Sequence, residues 1–278
     1  MKPKTTFTKK DLLVTCACLA FLLLTVAAVG PRGRRHAKDM LCLSNLQKWG
    51  TVFHAFLQDN NGKFMPGWSD GPAQPGNLWM DALRPYYANN HRLRCCPEAA
   101  IPGTELGLDQ WGTMGGAFVA WGAFDGECGQ PSPSWGWVIA CDYGSYGTND
   151  WTSDPSPYDG HWPPYQNNWR TPNVAGANHI PLLGDHPWFD CWPQHTDEPP
   201  EFEGQPWPEG SQMGRICINR HAGFVNWVFL DFSARKVGLK ELWTLKWHRS
   251  FLVDGPWTIA GGATPEDWPE WMQNFPDY

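Results

Sequence analysis

Charged residues are scarce in this sequence, and positive charges are scarcest in its longer part. Only 18% of the 278 residues are charged, and the formal net charge is −7. The first 40 residues are basic, so the remainder is more acidic than the whole chain. Because phosphate binding needs Lys and Arg clustered on one face of a protein, the sequence predicts no nucleic-acid partner.

The common catalytic motifs are also missing. We find no G-x-S-x-G elbow, P-loop, H-E-x-x-H helix or dinucleotide fingerprint. Cys95 and Cys96 are adjacent, but no C-x-x-C spacing occurs, which argues against zinc and against thioredoxin-like redox chemistry. The sequence therefore predicts a protein that is not an enzyme and needs no cofactor.

One acidic stretch, G-D-H-P-W-F-D at 184–190, leaves a metal site open as an alternative. Asp185, His186 and Asp190 are weak candidates for ligands, and Ca²⁺ would suit the carboxylates because it accepts several oxygen atoms in flexible geometry. The spacing matches no EF-hand loop. An anchored metal-dependent hydrolase would require His and carboxylate groups that converge within ~2–3 Å of one point.

Trp, Pro and Gly are abundant, with 19, 26 and 29 residues. This composition predicts a body of many turns and short strands. In such a body, buried Trp side chains fix loops that lack regular structure. Exposed Trp side chains in a groove also stack on sugar rings, so a surface-anchored carbohydrate-binding module is an alternative function.

An uncharged, mostly apolar run occupies residues 12–29. As a helix at ~1.5 Å per residue, it would span ~27 Å of hydrocarbon. The apolar part of a secretory signal is shorter, at ~7–15 residues. We therefore predict a transmembrane anchor helix over residues 7–30, with a cleaved signal peptide as the competing interpretation.

A second helical pattern follows, because Gly30 and Pro31 are expected to kink or interrupt the first. Apolar residues then recur at the spacing of one helix face, which predicts a stalk helix over residues 31–62 that packs on the body. The residues of this apolar stripe are Cys42, Leu46, Trp49, Phe53, Phe56 and Leu57.

The segment T-F-T-K-K-D-L-L-V, Thr6 to Val14, resembles the signature of type IV prepilins and type II secretion pseudopilins. The resemblance implies a leader over residues 1–6 and a prepilin peptidase that cuts between Thr6 and Phe7, after which the new amino terminus is methylated. It also implies that Asp11 contacts a neighbouring pilin-like subunit, and that the body lies outside the cytoplasm, in the periplasm or at the cell surface.

Two further stretches resemble the same group, C-L-S-N-L-Q-K-W-G at 42–50 and R-L-R-C-C-P at 92–97. The signature positions are Cys42, Asn45, Leu46, Cys96 and Pro97. Since the topology of the group places the body in an oxidising compartment, disulfides are plausible. On this resemblance we predict a disulfide between Cys42 and Cys96, with buried free thiols as the alternative.

The stretch H-A-G-F-V-N-W-V-F-L-D-F is similar to the H-x9-D-G domain of planctomycete prepilin-type proteins, with Phe232 where that domain has Gly. Between His221 and Asp231, residues 225–230 are β-branched or aromatic and predict a strand ~20 Å long. A hydrogen-bonded catalytic dyad needs ~3 Å. We therefore predict a structural hairpin, with a turn longer than the tight type that Asp-Gly allows.

Together these features predict an α+β protein with a long N-terminal helix packed on an antiparallel-sheet, loop-rich body at 63–278, which includes the H-x9-D segment at 219–248. The predicted function is that of a pilin-like or pseudopilin-like subunit in a secretion or pilus-like filament, which acts by assembly with other such subunits. It would be a single-pass protein of the inner (cytoplasmic) membrane.

Overall fold

The protein is α+β. The computed structural model describes residues 8–68, 76–107, 114–157, 165–205 and 210–278, without the side chains of residues 26–29 and 31. The chain divides into two compact units, Met1–Lys38 and Asp39–Tyr278. The second unit contains a five-stranded mixed sheet and a separate two-stranded sheet.

The first helix, α1, runs from Lys9 to Asp59. It begins where Thr8 and Asp11 cap each other: the backbone N and Oγ1 of Thr8 donate to Oδ2 of Asp11, and the backbone N of Asp11 faces Oγ1 of Thr8. This reciprocal bonding satisfies amide groups that the first helical turn leaves without partners. Helix α1 continues through residues 30 and 31, so the interruption predicted there is wrong.

The structure contradicts the membrane anchor predicted for residues 7–30. Within the described part of the chain, no helix is long and apolar enough to cross a membrane. The predicted single-pass location in the inner membrane is therefore also wrong.

The apolar stripe predicted on the second part of α1 is confirmed. All six of its side chains are buried. Trp49 lies at the centre: its Nε1 donates to the backbone O of Leu93 at 2.7 Å, and its ring packs edge-on against Trp79 with centroids 5.1 Å apart. Asn61 and Gly62 then adopt positive φ angles, and the backbone N of Gly62 donates to the O of Leu57, which ends the helix.

The larger sheet has the strand order β5-β3-β4-β6-β7. Only β3 and β5 run parallel, and the other neighbours are antiparallel. Its strands are β3 (Tyr146–Asn149), β4 (Pro181–Asp185), β5 (Asp190–Cys191), β6 (Phe224–Phe229) and β7 (Ala234–Gly238). The smaller sheet pairs β1 (Trp121–Gly122) with β2 (Tyr143–Gly144).

Short helices and turns make up most of the remaining body. The α-helices are α2 (Trp79–Ala82), α3 (Arg84–Tyr87) and α4 (Gln212–Ile216). The 3-10 helices are His91–Arg94, Asp150–Thr152, Tyr165–Asn167, Ala177–His179, Lys240–Thr244, Pro265–Asp267 and Glu270–Met272. A disulfide joins Cys128 to Cys141 in one of the long loops.

The hairpin of β6 and β7 has the long turn that the sequence predicts. Residues 230–233 connect the strands, and Phe232 has a φ of 65° in the left-handed region that favours Gly. The carboxylate of Asp231 stabilises the turn by accepting hydrogen bonds from the backbone N and Oγ of Ser233. Phe232 therefore adopts a backbone conformation that favours Gly, at a cost in backbone strain.

Candidate functional site

The carboxylate of Asp185 is the centre of a buried polar cluster. Asp185 ends β4 and is completely buried. Nε2 of His221 lies 3.0 Å from its Oδ2, and Nη1 of Arg220 donates to its Oδ1 at 2.8 Å. Burial alone would raise the pKa of Asp185, but the positive charges of His221 and Arg220 lower that pKa well below its usual range.

His221 lies between two carboxylates. Its Nδ1 is 3.4 Å from Oδ1 of Asp39, on α1, while its Nε2 faces Asp185. Burial would lower the pKa of His221, but chiefly the charge of Asp185 raises it to about 10. With a carboxylate at each ring nitrogen, the protonated imidazole forms ion pairs with both acids. Asp39 is further held by Lys236 and by Nδ2 of Asn226.

Arg220 connects this cluster to two backbone segments. Its guanidinium donates to the carbonyl oxygens of Gly116, Ala117 and Ser145 at 2.6–2.8 Å, besides its bond to Asp185. A buried ion pair stabilises a fold only when the remaining donors and acceptors are also satisfied. The planar guanidinium of Arg220 meets that condition, because its nitrogen atoms donate to these carbonyl oxygens and to Asp185.

Two thiols complete the cluster. Sγ of Cys42, on α1, lies 3.7 Å from Oδ1 of Asp185 and accepts a hydrogen bond from the hydroxyl of Tyr146 at 3.2 Å. Sγ of Cys96 lies 3.5 Å from Nε2 of His221. Burial raises the pKa of Cys42 well above its ordinary value. For Cys96 burial acts in the same direction, but hydrogen bonds from Cys42 and His221 lower its pKa to about 7.

The structure brings together the two cysteines that the resemblance pairs, but both are free thiols. Their sulfur atoms, a carboxylate oxygen of Asp185 and a ring nitrogen of His221 all lie within 4.8 Å of one another. Thiolate, imidazole and carboxylate are metal-ligand types. The four side chains are buried, so this cluster leaves no open face for the substrate of a hydrolase.

Only Asp185 among the three weak metal candidates belongs to this cluster. His186 points elsewhere: its Nδ1 accepts a hydrogen bond from the backbone N of Trp188 at 2.8 Å, and burial holds its pKa well below the ordinary value. Asp190 faces a separate cavity. Sequence reasoning missed the cysteines and His221 as ligands because the four residues come from four distant segments, and no local spacing reveals them.

A cavity of about 460 Å³ lies elsewhere in the body and is lined mainly by aromatic rings. The rings meet at steep angles: Trp135 and Trp137 at 87° with centroids 5.3 Å apart, and Trp68 and Trp137 at 82° with centroids 4.7 Å apart. Its full lining is Trp68, Met114, Trp135, Trp137, Trp188, Asp190, Trp192 and Arg215. A volume of this size suits a small organic molecule.

Asp190 lines this cavity, and a second buried acid, Asp150, lies near Asp190. Asp190 begins β5 and Asp150 follows β3, and the parallel pairing of these strands brings the two acids together. Oδ2 of Asp190 has no hydrogen-bond partner among the described residues. Burial and the charge of Asp150 raise the pKa of Asp190 well above its usual range, and burial raises that of Asp150 to about 7.

His221 and Asp231 do not form a catalytic pair, as predicted. The six residues of β6 lie between them, and Asp231 is exposed in the hairpin turn. The other signature positions are structural: Nδ2 of Asn45 donates to the backbone O of Cys95 at 3.2 Å, Leu46 is buried in the core, and Pro97 is half-buried beside them.

Of the residues predicted for processing and assembly, Thr6 and Phe7 lie outside the described residues. Asp11 is exposed, and its hydrogen bonds from Thr8 lower its pKa. These bonds give it a role in capping α1, and a contact of Asp11 with another subunit stays a prediction.

Comparison with known proteins adds no assignment: no family model, curated protein or solved structure matches this chain. The descriptions as a pilin, a pseudopilin or a cleaved and methylated prepilin therefore gain no support, and the membrane span that they require is contradicted.

Proposed function

We propose that this protein is a structural subunit that assembles with further copies of itself through residues 12–24 of α1. The observation that carries this proposal is the exposure of large apolar side chains along that segment, each 55–72% exposed. They are Leu12, Leu13, Val14, Leu19, Phe21, Leu22, Leu23 and Leu24. Successive residues of a helix point about 100° apart, so these side chains cover every side of it.

A helix that is apolar on all sides is normally buried against a partner. Contiguous exposed apolar surface of this kind is rare on monomeric proteins and marks an interaction site. The segment carries no charge between Leu12 and Thr25, so a partner must itself be apolar there. The same segment of a second copy meets that requirement.

The charges at the start of α1 also suit a second copy. Lys9 and Lys10 are next to Asp11, and all three side chains are exposed. In a parallel neighbour, the Lys side chains of one helix can face Asp11 of the other. Exposed pairs of this kind contribute little energy, about 0–1 kcal/mol each, so they set the alignment of the helices rather than the affinity.

The apolar surface is sufficient to drive association. Burying one such side chain contributes about 1.5–3 kcal/mol. If half of the eight are buried on each of two helices, the gain is roughly 12–24 kcal/mol. Association costs about 4–15 kcal/mol in lost translational and rotational freedom. The balance favours assembly.

Sedimentation velocity on the full chain tests this function. We expect the wild type to form oligomers at micromolar concentration, and the double variant Leu19→Asp with Leu23→Asp to sediment as a monomer. The matched control is Ile259→Asp, which adds a charge at an isolated exposed apolar residue of the body. A wild type that stays monomeric, or a double variant that assembles as the wild type does, would contradict the proposal.

A second candidate function, carbohydrate binding, is favoured by the cavity that five Trp side chains line. Aromatic rings offer flat apolar faces for the apolar face of a sugar ring. Oδ2 of Asp190, without a partner among the described residues, is an acceptor for a sugar hydroxyl. A buried acceptor that lacks a partner costs free energy, and a bound hydroxyl would remove that cost.

Titration calorimetry with a panel of soluble oligosaccharides tests this second function. Trp137→Ala and Asp190→Asn should each weaken binding at least tenfold. Trp257→Ala, at a half-buried Trp outside the cavity, should leave the affinity unchanged. Absence of binding across the panel, or equal binding by all three variants, would exclude the sugar site.

A further inference from the structure

We propose that Cys42, Cys96, Asp185 and His221 bind one zinc ion in a closed structural site. Two sulfur atoms, one imidazole nitrogen and one carboxylate oxygen form a donor set that zinc accepts in proteins. A tetrahedral arrangement of sulfur and nitrogen donors is characteristic of zinc, whereas Ca²⁺ and Mg²⁺ prefer oxygen ligands. The inference concerns the body of the protein and is independent of the assembly of α1.

The distances between the donor atoms fit a tetrahedral site. Zinc bonds are about 2.3 Å to sulfur and about 2.0–2.2 Å to nitrogen or oxygen, so the edges of the tetrahedron measure about 3.3–3.8 Å. Sγ of Cys96 is 3.5 Å from Nε2 of His221, and Sγ of Cys42 is 3.9 Å from Oδ2 of Asp185, so small shifts bring these pairs to the edges of a tetrahedron. Nε2 of His221 is 3.0 Å from Oδ2 of Asp185, so these two atoms need to move apart only slightly when zinc binds.

The groups around the four donors orient them as in known metal sites. Nδ1 of His221 faces the carboxylate of Asp39, and this leaves Nε2 toward the other donors. A carboxylate behind a ligating His fixes its ring and its tautomer. The hydroxyl of Tyr146 donates to Sγ of Cys42, and the backbone N of Asn226 donates to Asp185.

Charge balance also allows a buried divalent ion. Two thiolates and the carboxylate of Asp185 bring three negative charges, of which the ion offsets two. Arg220, 2.8 Å from Asp185, offsets the third. Asp39 and Lys236 form a further pair. The loaded cluster is therefore neutral, which a buried site requires because an uncompensated buried charge is costly.

The expected role is structural. The four donors come from α1, from the loop after the 3-10 helix His91–Arg94, from the end of β4 and from the segment before β6. All four side chains are buried, so no coordination position faces solvent. Binding would displace one proton from each thiol and one from Nε2 of His221, and it would tie the helix to the sheet.

Metal analysis of the full chain, purified without chelators and dialysed, tests the proposal. We expect elemental mass spectrometry to find one zinc ion per chain. After unfolding, Cys42 and Cys96 should both be alkylated as free thiols. Replacement of zinc by Co²⁺ should give sulfur-to-metal charge-transfer absorption in the folded wild type. A disulfide between Cys42 and Cys96 in zinc-free protein would overturn the proposal.

Variants separate this site from unspecific binding by thiols. Cys96→Ser and His221→Ala should each lose the zinc and the Co²⁺ absorption. Cys217→Ser is the matched control, since Cys217 is a buried free thiol whose sulfur lies beside that of Met272, and it should retain one zinc ion. Because Cys96→Ser and His221→Ala could unfold the body, the Co²⁺ spectrum of the wild type decides the question without any substitution. Zinc retained by Cys96→Ser would refute the site.

Discussion

In residues 12–24 large apolar side chains are exposed, whereas in residues 39–278 charged side chains are buried. The buried charges mostly have partners inside the body: Asp185 pairs with Arg220 at 2.8 Å, and Lys240 pairs with Asp277 at 2.7 Å. The large apolar side chains of residues 12–24 are not buried against any other described residues. On the proposed function, the body completes its own interactions, whereas the first segment of α1 completes its interactions with another copy of the chain.

The largest effect should follow from breaking a buried pair in the body. Arg220→Met removes the cation beside Asp185 and leaves a carboxylate buried without compensation, so we expect a loss of about 3–5 kcal/mol in the free energy of unfolding. Urea denaturation at neutral pH measures it. The control is Arg235→Met, which breaks a part-exposed pair with Glu241 and should cost about 0–1 kcal/mol. Equal losses in the two variants would contradict the role of Arg220.

The next effect concerns Asp150, a buried acid that follows β3. The pKa of Asp150 rises to about 7 on folding, so between about pH 4 and pH 7 the folded chain holds a proton that the unfolded chain has lost. This makes stability fall as pH rises through that window. Asp150→Asn cannot ionise, so its stability relative to the wild type should improve from pH 4 to pH 7 by a few kcal/mol, on the order expected for such a shift.

Denaturant unfolding of both proteins at several pH values measures this difference directly. Comparing the two proteins at each pH cancels the titration of groups that do not interact with Asp150, including the opposite effect of Asp185, whose pKa is lowered. A difference that stays constant between pH 4 and pH 7 would show that Asp150 is not the titrating group.

A smaller effect is expected at Phe232, a half-buried apolar residue of the body. Its φ of 65° strains any residue except Gly, and its ring packs against His54 with centroids 5.4 Å apart. Phe232→Ala loses the packing and keeps the strain, whereas Phe232→Gly loses the packing and relieves the strain. We expect the Gly variant to be more stable than the Ala variant by about 1 kcal/mol, as measured by thermal unfolding. The reverse order would contradict the cost assigned to this backbone conformation.

The smallest effect should come from the start of α1. Thr8→Ala removes the hydroxyl of the cap and keeps the charge of Asp11. Asp11→Ala removes the carboxylate of the cap and, with it, the charge. Each should loosen the first turn by about 0.5–1 kcal/mol, visible as faster amide exchange there. If Asp11 also contacts a neighbouring subunit, Asp11→Ala will weaken assembly more than Thr8→Ala. Equal weakening would restrict Asp11 to the cap.

Local patterns in the sequence predicted local structure well. The buried stripe from Cys42 to Leu57 follows from the helical period, and the strand between His221 and Asp231 follows from β-branched and aromatic residues. The segment 135–141, W-G-W-V-I-A-C, has the same kind of apolar and aromatic composition but forms bends and turns. Strand pairing is decided by distant partners, and in that segment only Ile139 forms a bridge.

The sites were harder to predict because they depend on residues far apart in sequence. The parallel pairing of β3 and β5 brings Asp150 near Asp190, and no spacing in the sequence reveals it. The thiols of Cys42 and Cys96 were paired through the resemblance, but their neighbours Asp185 and His221 are placed by the register of β4 and β6. The predicted membrane anchor is a separate case, because no helix among the described residues is long and apolar enough to cross a membrane.

The central claim, that residues 12–24 pack against the same segment of another copy, is tested most directly by cross-linking through native cysteines. Cys16 and Cys18 are exposed in that segment, and every other free cysteine is buried. Mild oxidation of the full chain should give disulfide-linked dimers, and the variant Cys16→Ser with Cys18→Ser should give none. Thiols at Cys16 and Cys18 that react with an alkylating probe but never cross-link, or dimers that persist in the variant, would contradict the account.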